Sequence, residues 1–99
     1  MRSKDEVFEA IRTELLRLLE PKGIRLIDIQ LEASIVTDLG MDSLLFVDLI
    51  IALEGALGIA QFPMQEWVDE QALSVPPDRP RYTVDSLTCC ACKMLGIEA

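Results

Sequence analysis

Residues 43–57, SLLFVDLIIALEGAL, constrain the fold more tightly than any other part of the chain. At helical spacing Phe46, Leu49, Ile50, Leu53 and Leu57 share one face, which predicts the core side of a helix. Leu44, Val47 and Ile51 make a second stripe at i, i+3 and i+7, with Asp48 beside it. A helix apolar nearly all round is either buried or carries a binding face. A chain of 99 residues makes one domain with a modest core, too little to wrap a helix on every side. The second stripe therefore reads as a partner surface; cover by the long segment before the helix is the alternative. No apolar run reaches the ~20 residues of a membrane span.

The other segments fit an all-α reading. In residues 5–19, Val7, Phe8, Ile11, Leu15, Leu18 and Leu19 fall on one broad face opposite Glu9, Arg12, Glu14 and Arg17. Ser3 or Asp5 can cap this helix, and Pro21 with Gly23 ends it. Residues 20–41 form a long connection. Its IRLIDIQL alternates like a strand but has no convincing second strand to pair with. We read it as an extended loop pinned by Ile24, Leu26, Ile29, Leu31, Ile35 and Leu39, with a helical turn near 34–38. A short helix is predicted over 64–72, anchored by Phe62, Trp67 and Val68. Three prolines in 76–81 make a loop. A last helix then starts at the cap Thr83 and stops at Gly96, burying Val84, Leu87, Ala91, Met94 and Leu95. The firmest core predictions are Phe8, Leu15, Leu49, Leu53 and Leu87. The expected architecture is a small four-helix bundle, three longer helices and one short, in a single domain over 1–99 with its core in about 4–96.

Composition narrows the chemistry. Seventeen acids against nine bases give a net charge of −8, which disfavours nucleic acid and favours partners with basic surfaces. There is no histidine, the usual general base and commonest metal ligand. Cys89, Cys90 and Cys92 are odd in number and crowded together, so they are no disulfide framework. No second ligand pair accompanies them, so no zinc site is expected; small buried residues on a helix is the better account. The start, MRSKDEVFEA, turns acidic at once and lacks the apolar stretch of a signal peptide, so a cytoplasmic protein is expected.

The tripeptide Asp-Ser-Leu occurs twice, at 42–44 and 85–87. Ser86 lies in the first turn of a helix already capped by Thr83, where serine is ordinary. Ser43 follows Gly40, a permissive backbone position, and Asp42, a good N-cap. Its hydroxyl should face outward among free N–H groups at the positive end of the helix, an environment that tolerates an attached phosphate. With no histidine to activate it and no Gly-x-Ser-x-Gly elbow, Ser43 is not a hydrolase nucleophile.

The stretch 38–54, DLGMDSLLFVDLIIALE, resembles the phosphopantetheine attachment site of acyl carrier proteins. That pattern is roughly (D/E)-x-G-x-D-S-(L/I) followed by an amphipathic helix. Leu39, Gly40, Asp42, Ser43 and Leu44 match it, as do Val47, Asp48, Leu49, Ala52, Leu53 and Glu54. The order of helices matches too, with Phe62-Pro63 and YTVDSL at 82–87 where the family begins its short and last helices. The resemblance implies a non-catalytic, monomeric carrier. Its Ser43 would receive 4′-phosphopantetheine from coenzyme A through a phosphopantetheinyl transferase using Mg²⁺. The arm's thiol would then hold an acyl or aminoacyl group, placed there by a loading enzyme and passed to synthase or modifying enzymes. Docking is expected to use Met41, Asp42, Leu44, Val47, Asp48 and Ile51.

Two departures bear on the pathway. The serine helix carries only Asp48 and Glu54 as acids, where fatty-acid-synthesis carriers bear more. The segment 62–81 is longer than is usual in the family, and its tryptophan is uncommon there. Both suit a free-standing carrier in polyketide or nonribosomal peptide assembly. The competing readings are an unmodified carrier-like interaction module, which would have no need of the serine, and, more distantly, a hydrolase.

Overall fold

The computed structural model describes residues 3–97 and contains, among them, four α-helices and no β-strand. Helix α1 spans Lys4–Leu19 and is capped by Ser3, whose hydroxyl accepts the Glu6 N–H. It ends as expected: a 3₁₀ turn over Glu20–Lys22 contains Pro21 and closes on Gly23. Helix α2 covers Ser43–Leu57, α3 Met64–Ser74 and α4 Val84–Leu95. Thr83 caps α4 by accepting the Ser86 N–H at 3.1 Å, and Gly96 follows in the left-handed conformation. Helix α3 runs two residues beyond the predicted end. The expected domain limits, 1–99, include residues 1–2 and 98–99, which lie outside the described residues.

Helix α1 packs against both α2 and α4. It buries Val7, Ile11, Leu15 and Leu19, one residue every turn. Leu49, Leu53 and Leu57 face them from α2, and Val84, Leu87, Ala91 and Cys92 from α4. Each fully buried aliphatic side chain contributes about 1.5–3 kcal/mol through removal from water. Thr88 is buried as well, its hydroxyl donating to the Val84 carbonyl at 2.8 Å.

Several expectations for individual side chains change. Phe8 is only partly buried, and the Arg12 guanidinium covers part of its ring, 5.1 Å from the centroid. Phe46 is half-buried, stacked against Trp67 rather than set in the core. Met94 is exposed, off the face on which α4 buries Val84, Leu87, Thr88, Ala91 and Cys92. Leu26 is exposed too: a 3₁₀ turn over Leu26–Asp28 turns it outward and sends Ile29 into the core.

The long connection does find a partner. Ser34 and Thr83 form an isolated antiparallel bridge. Around it the Ile35 N–H donates to the Tyr82 carbonyl at 2.8 Å, and the Val84 and Asp85 N–H groups donate to Ala33 and Leu31, both at 2.9 Å. The expected turn near 34–38 is present: the Asp38 and Leu39 N–H groups both donate to the Ser34 carbonyl, and the Asp38 carboxylate accepts the Ser34 N–H. The loop is thus sewn to the start of α4, and its Ile35, Leu39 and Met41 are buried.

Candidate functional site

The site is built where this loop enters α2. Gly40 has φ +67°, the left-handed region that strains other residues, and it turns the chain between buried Leu39 and buried Met41. The Met41 N–H donates to the Ile35 carbonyl at 3.0 Å. Asp42 then adopts an extended conformation and caps the helix, its Oδ1 accepting the Leu45 N–H at 2.8 Å. Ser43 is the first helical residue and is exposed. The N–H groups of Ser43 and Leu44 lie in the first turn and make no intrahelical bond. The Lys22 ammonium approaches Asp42 Oδ2 at 3.9 Å, adding a positive charge on the same side. An exposed hydroxyl with free N–H groups and a cation nearby suits a phosphodiester.

The docking residues read from sequence fall into two sets. Leu44 is 79 % exposed, Ile51 61 % and Val47 43 %, and Asp42 and Asp48 are exposed beside them. Met41 is buried at 5 % and is corrected from a surface residue to a core one: the bond to Ile35 turns it inward, beneath the helix entrance. Glu54, matched as a helix acid, has a local task. Its Oε2 accepts the Phe62 N–H at 2.8 Å and ties the α2–α3 turn back to the helix.

Beside Ser43 opens a cleft of about 330 Å³, with Asp42 and Ser43 on its exposed rim. Phe46, Trp67 and Tyr82 form much of its wall, and Met41 and Val68 also line it. The three rings brace one another. Phe46 stacks on Trp67 with centroids 5.6 Å apart, and Tyr82 meets Trp67 edge-on at 5.7 Å. The Trp67 indole Nε1–H donates to the Ser86 hydroxyl at 2.8 Å. Tyr82 has φ +59°, uncommon for an aromatic residue. It is held there by its N–H donating to Oε1 of buried Gln71 at 3.0 Å and its carbonyl accepting Ile35. Ser86 and Gln71 escape a sequence reading because their bonds span 19 and 11 residues. The one available signal was Trp67 itself, whose indole N–H needs a partner once buried.

The three cysteines stand apart from this region on α4, Cys92 buried and the others half-buried. Burial pushes the Cys90 and Cys92 thiols above the usual range. Neither is poised as a nucleophile.

A four-helix bundle with an exposed serine opening its second helix, behind a glycine turn and an aspartate cap, defines a carrier-type domain. The chain belongs to the phosphopantetheine attachment site family, whose model matches residues 9–66, more than half of its length. No curated protein and no solved structure matches the chain. Members of the family bind 4′-phosphopantetheine covalently, and the protein is a phosphopantetheine-bearing carrier. Among the described residues no helix is long and apolar enough to cross a membrane.

Proposed function

We propose that the protein is a single-domain, monomeric, cytoplasmic carrier that bears acyl or aminoacyl thioesters on 4′-phosphopantetheine attached to Ser43, and that it catalyses no reaction itself. The carrying observation is the exposed Ser43 hydroxyl at the first position of α2, behind the Asp42 cap and within the family match. A phosphopantetheinyl transferase joins Ser43 Oγ to the phosphorus of the arm as the diphosphate bond of coenzyme A breaks. The serine proton is lost, and adenosine 3′,5′-bisphosphate leaves. When bound, the arm supplies a terminal thiol for thioester formation. Its flexible length gives the cargo a high effective concentration at each partner's active site.

This chain's residues do the rest. Gly40 and Asp42 set the angle at which Ser43 meets the transferase. The exposed stripe of Leu44, Val47 and Ile51 docks into apolar grooves of the transferase, the loading enzyme and the downstream synthases. Asp48 meets a basic residue at the edge of that contact. A stripe with so few acids suits dedicated partners in polyketide or nonribosomal peptide assembly.

Intact mass after incubation with a broad-specificity transferase, Mg²⁺ and coenzyme A tests the assignment. One phosphopantetheine is expected on the wild type and none on Ser43→Ala. Modification that persists in Ser43→Ala, or moves to Ser86, would refute it.

A further inference from the structure

A chain of three hydrogen bonds runs from Gln71, buried on α3, to the entrance of α2. Gln71 Oε1 accepts the Tyr82 N–H at 3.0 Å. The Tyr82 carbonyl accepts the Ile35 N–H at 2.8 Å, and the Ile35 carbonyl accepts the Met41 N–H at 3.0 Å. Met41 stands two residues before Ser43. We infer that Gln71 is a positioning residue for attachment of the arm: through Tyr82 and Ile35 it holds Met41, and with it the Asp42 cap and Ser43, in the geometry that the transferase accepts. The inference rests on Ser43 bearing the arm, and it adds a residue of α3 to the machinery that presents that serine.

Tyr82 does not keep its conformation unaided. Its φ of +59° lies in the left-handed region, which for an L-residue with a side chain is disfavoured roughly 5- to 30-fold in population. A return to negative φ changes the angle between its N–H and its carbonyl, so the bonds to Gln71 and Ile35 cannot both survive it. Gln71 supplies the fixed end, because its acceptor is carried by a helix and is packed inside the protein. The loop that leads into Tyr82 is clamped to the same place. Arg81 donates through Nε and Nη2 to the Val75 carbonyl, at 3.0 and 2.8 Å, and so returns the chain to the end of α3.

At the other end the chain has no substitute. The bonds from Val84 and Asp85 hold Ala33 and Leu31, and those of Asp38 and Leu39 close on Ser34. None of them reaches past Leu39. Between Leu39 and the Asp42 cap, the bond from Met41 to Ile35 is the one backbone restraint among the described residues, and it follows the left-handed turn at Gly40. With Ile35 loosened, the approach to Ser43 spreads over several conformations. A transferase that accepts one of them binds the carrier more weakly by the fraction lost, while turnover at saturation stays the same. Gln71 is 7 % exposed, so a docked enzyme has almost nothing of it to touch. A change at Gln71 reaches the reaction through the carrier's own backbone.

Two substitutions of similar size test this. Gln71→Met removes the acceptor, and Gln71→Glu keeps an acceptor oxygen. Transferase kinetics are measured with the full-length carrier as the varied substrate, well below the melting temperature of each variant. Gln71→Met should raise the KM for the carrier about 3- to 10-fold with kcat unchanged, and Gln71→Glu should stay within about twofold of the wild type. Ser86→Ala disturbs α3 through Trp67 but leaves the three bonds in place, so its KM should not move. Amide hydrogen exchange, read by NMR on the protein without the arm, should quicken at Ile35 and Met41 in Gln71→Met and stay unchanged at Val84 and Asp85. An unchanged KM in Gln71→Met, the same rise in Gln71→Glu or Ser86→Ala, or unchanged exchange at Ile35 and Met41 overturns the inference. Should Gln71→Met fail to fold, the wild type decides: the Tyr82, Ile35 and Met41 amides should open at one common rate, and three separate rates overturn the inference. Failure of Ser43 to be modified at all overturns the attachment site and this inference together, whereas normal modification with an insensitive KM overturns this inference alone.

Discussion

Ile51→Asp, alone and with Val47→Asp, separates docking from folding. Ile51 is 61 % and Val47 43 % exposed in the free protein. Complete burial of such a side chain is worth about 1.5–3 kcal/mol, so the part still exposed leaves roughly 1–2 kcal/mol per residue to be gained against a partner. Losing it lowers kcat/KM by about 5- to 30-fold per site, and more where the carboxylate is forced into an apolar groove. The free protein should hardly notice Ile51→Asp, since exposed substitutions usually stay within about 0.5 kcal/mol. Val47→Asp, more covered, should cost somewhat more without unfolding the helix. The assay pairs thermal melting by circular dichroism with steady-state kinetics of the transferase and of a loading enzyme. Leu73→Asp is the control: it adds the same charge at an 86 % exposed site on α3 and should change neither measurement. Asp48→Arg should act on association rate, with an effect that shrinks as salt is added. Normal melting with unchanged kinetics would refute the docking role, and unfolding would show that the stripe is needed by the core.

Other perturbations read other parts of the structure. Leu49→Ala removes a fully buried side chain and should cost about 2–5 kcal/mol in urea unfolding; a cost near zero would mean that the faces of α2 are reversed. Ser86→Ala leaves the Trp67 indole N–H without its partner. It should cost about 1–3 kcal/mol and alter tryptophan emission while the arm is still attached at the wild-type rate. Because burial raises the Cys90 and Cys92 thiols, less of each is thiolate at pH 8 than in a free cysteine. A limiting alkylating reagent should therefore label the arm's thiol before either, as peptide mapping would show.

The elements legible in the sequence are those set by local rules. Asp42 and Thr83 announced their helices as caps, Gly96 closed the last, and the two stripes of α2 separated by helical phase alone. The exposed place of Ser43 at the start of α2 was legible because its context, Gly-x-Asp-Ser-Leu, is contiguous. What stayed hidden depends on segments distant in sequence. Leu26 and Ile29 are both apolar positions of IRLIDIQL, and the 3₁₀ turn decides which goes inward. Met41 sits between a glycine and an aspartate, as a surface residue would, and a backbone bond to Ile35 buries it. Phe46 lies on the core side of α2 by phase, but its neighbour there is a tryptophan from α3. The cleft follows from these same contacts, which is why no periodicity announces it.

The bridge between Ser34 and Thr83 also governs the order in which the molecule can be completed during synthesis. A ribosome that has released residues 9–66 has delivered the family signature, including Ser43 and its cap, yet Trp67, Tyr82 and Ser86 are still to come. Until they emerge, the loop ahead of Ser43 lacks the backbone partners at Tyr82, Val84 and Asp85 that hold it. The nascent chain at that stage has a serine without its surroundings. A gene fragment cut at the end of the family match would have the same defect, with the hydroxyl present and the cleft beside it unbuilt.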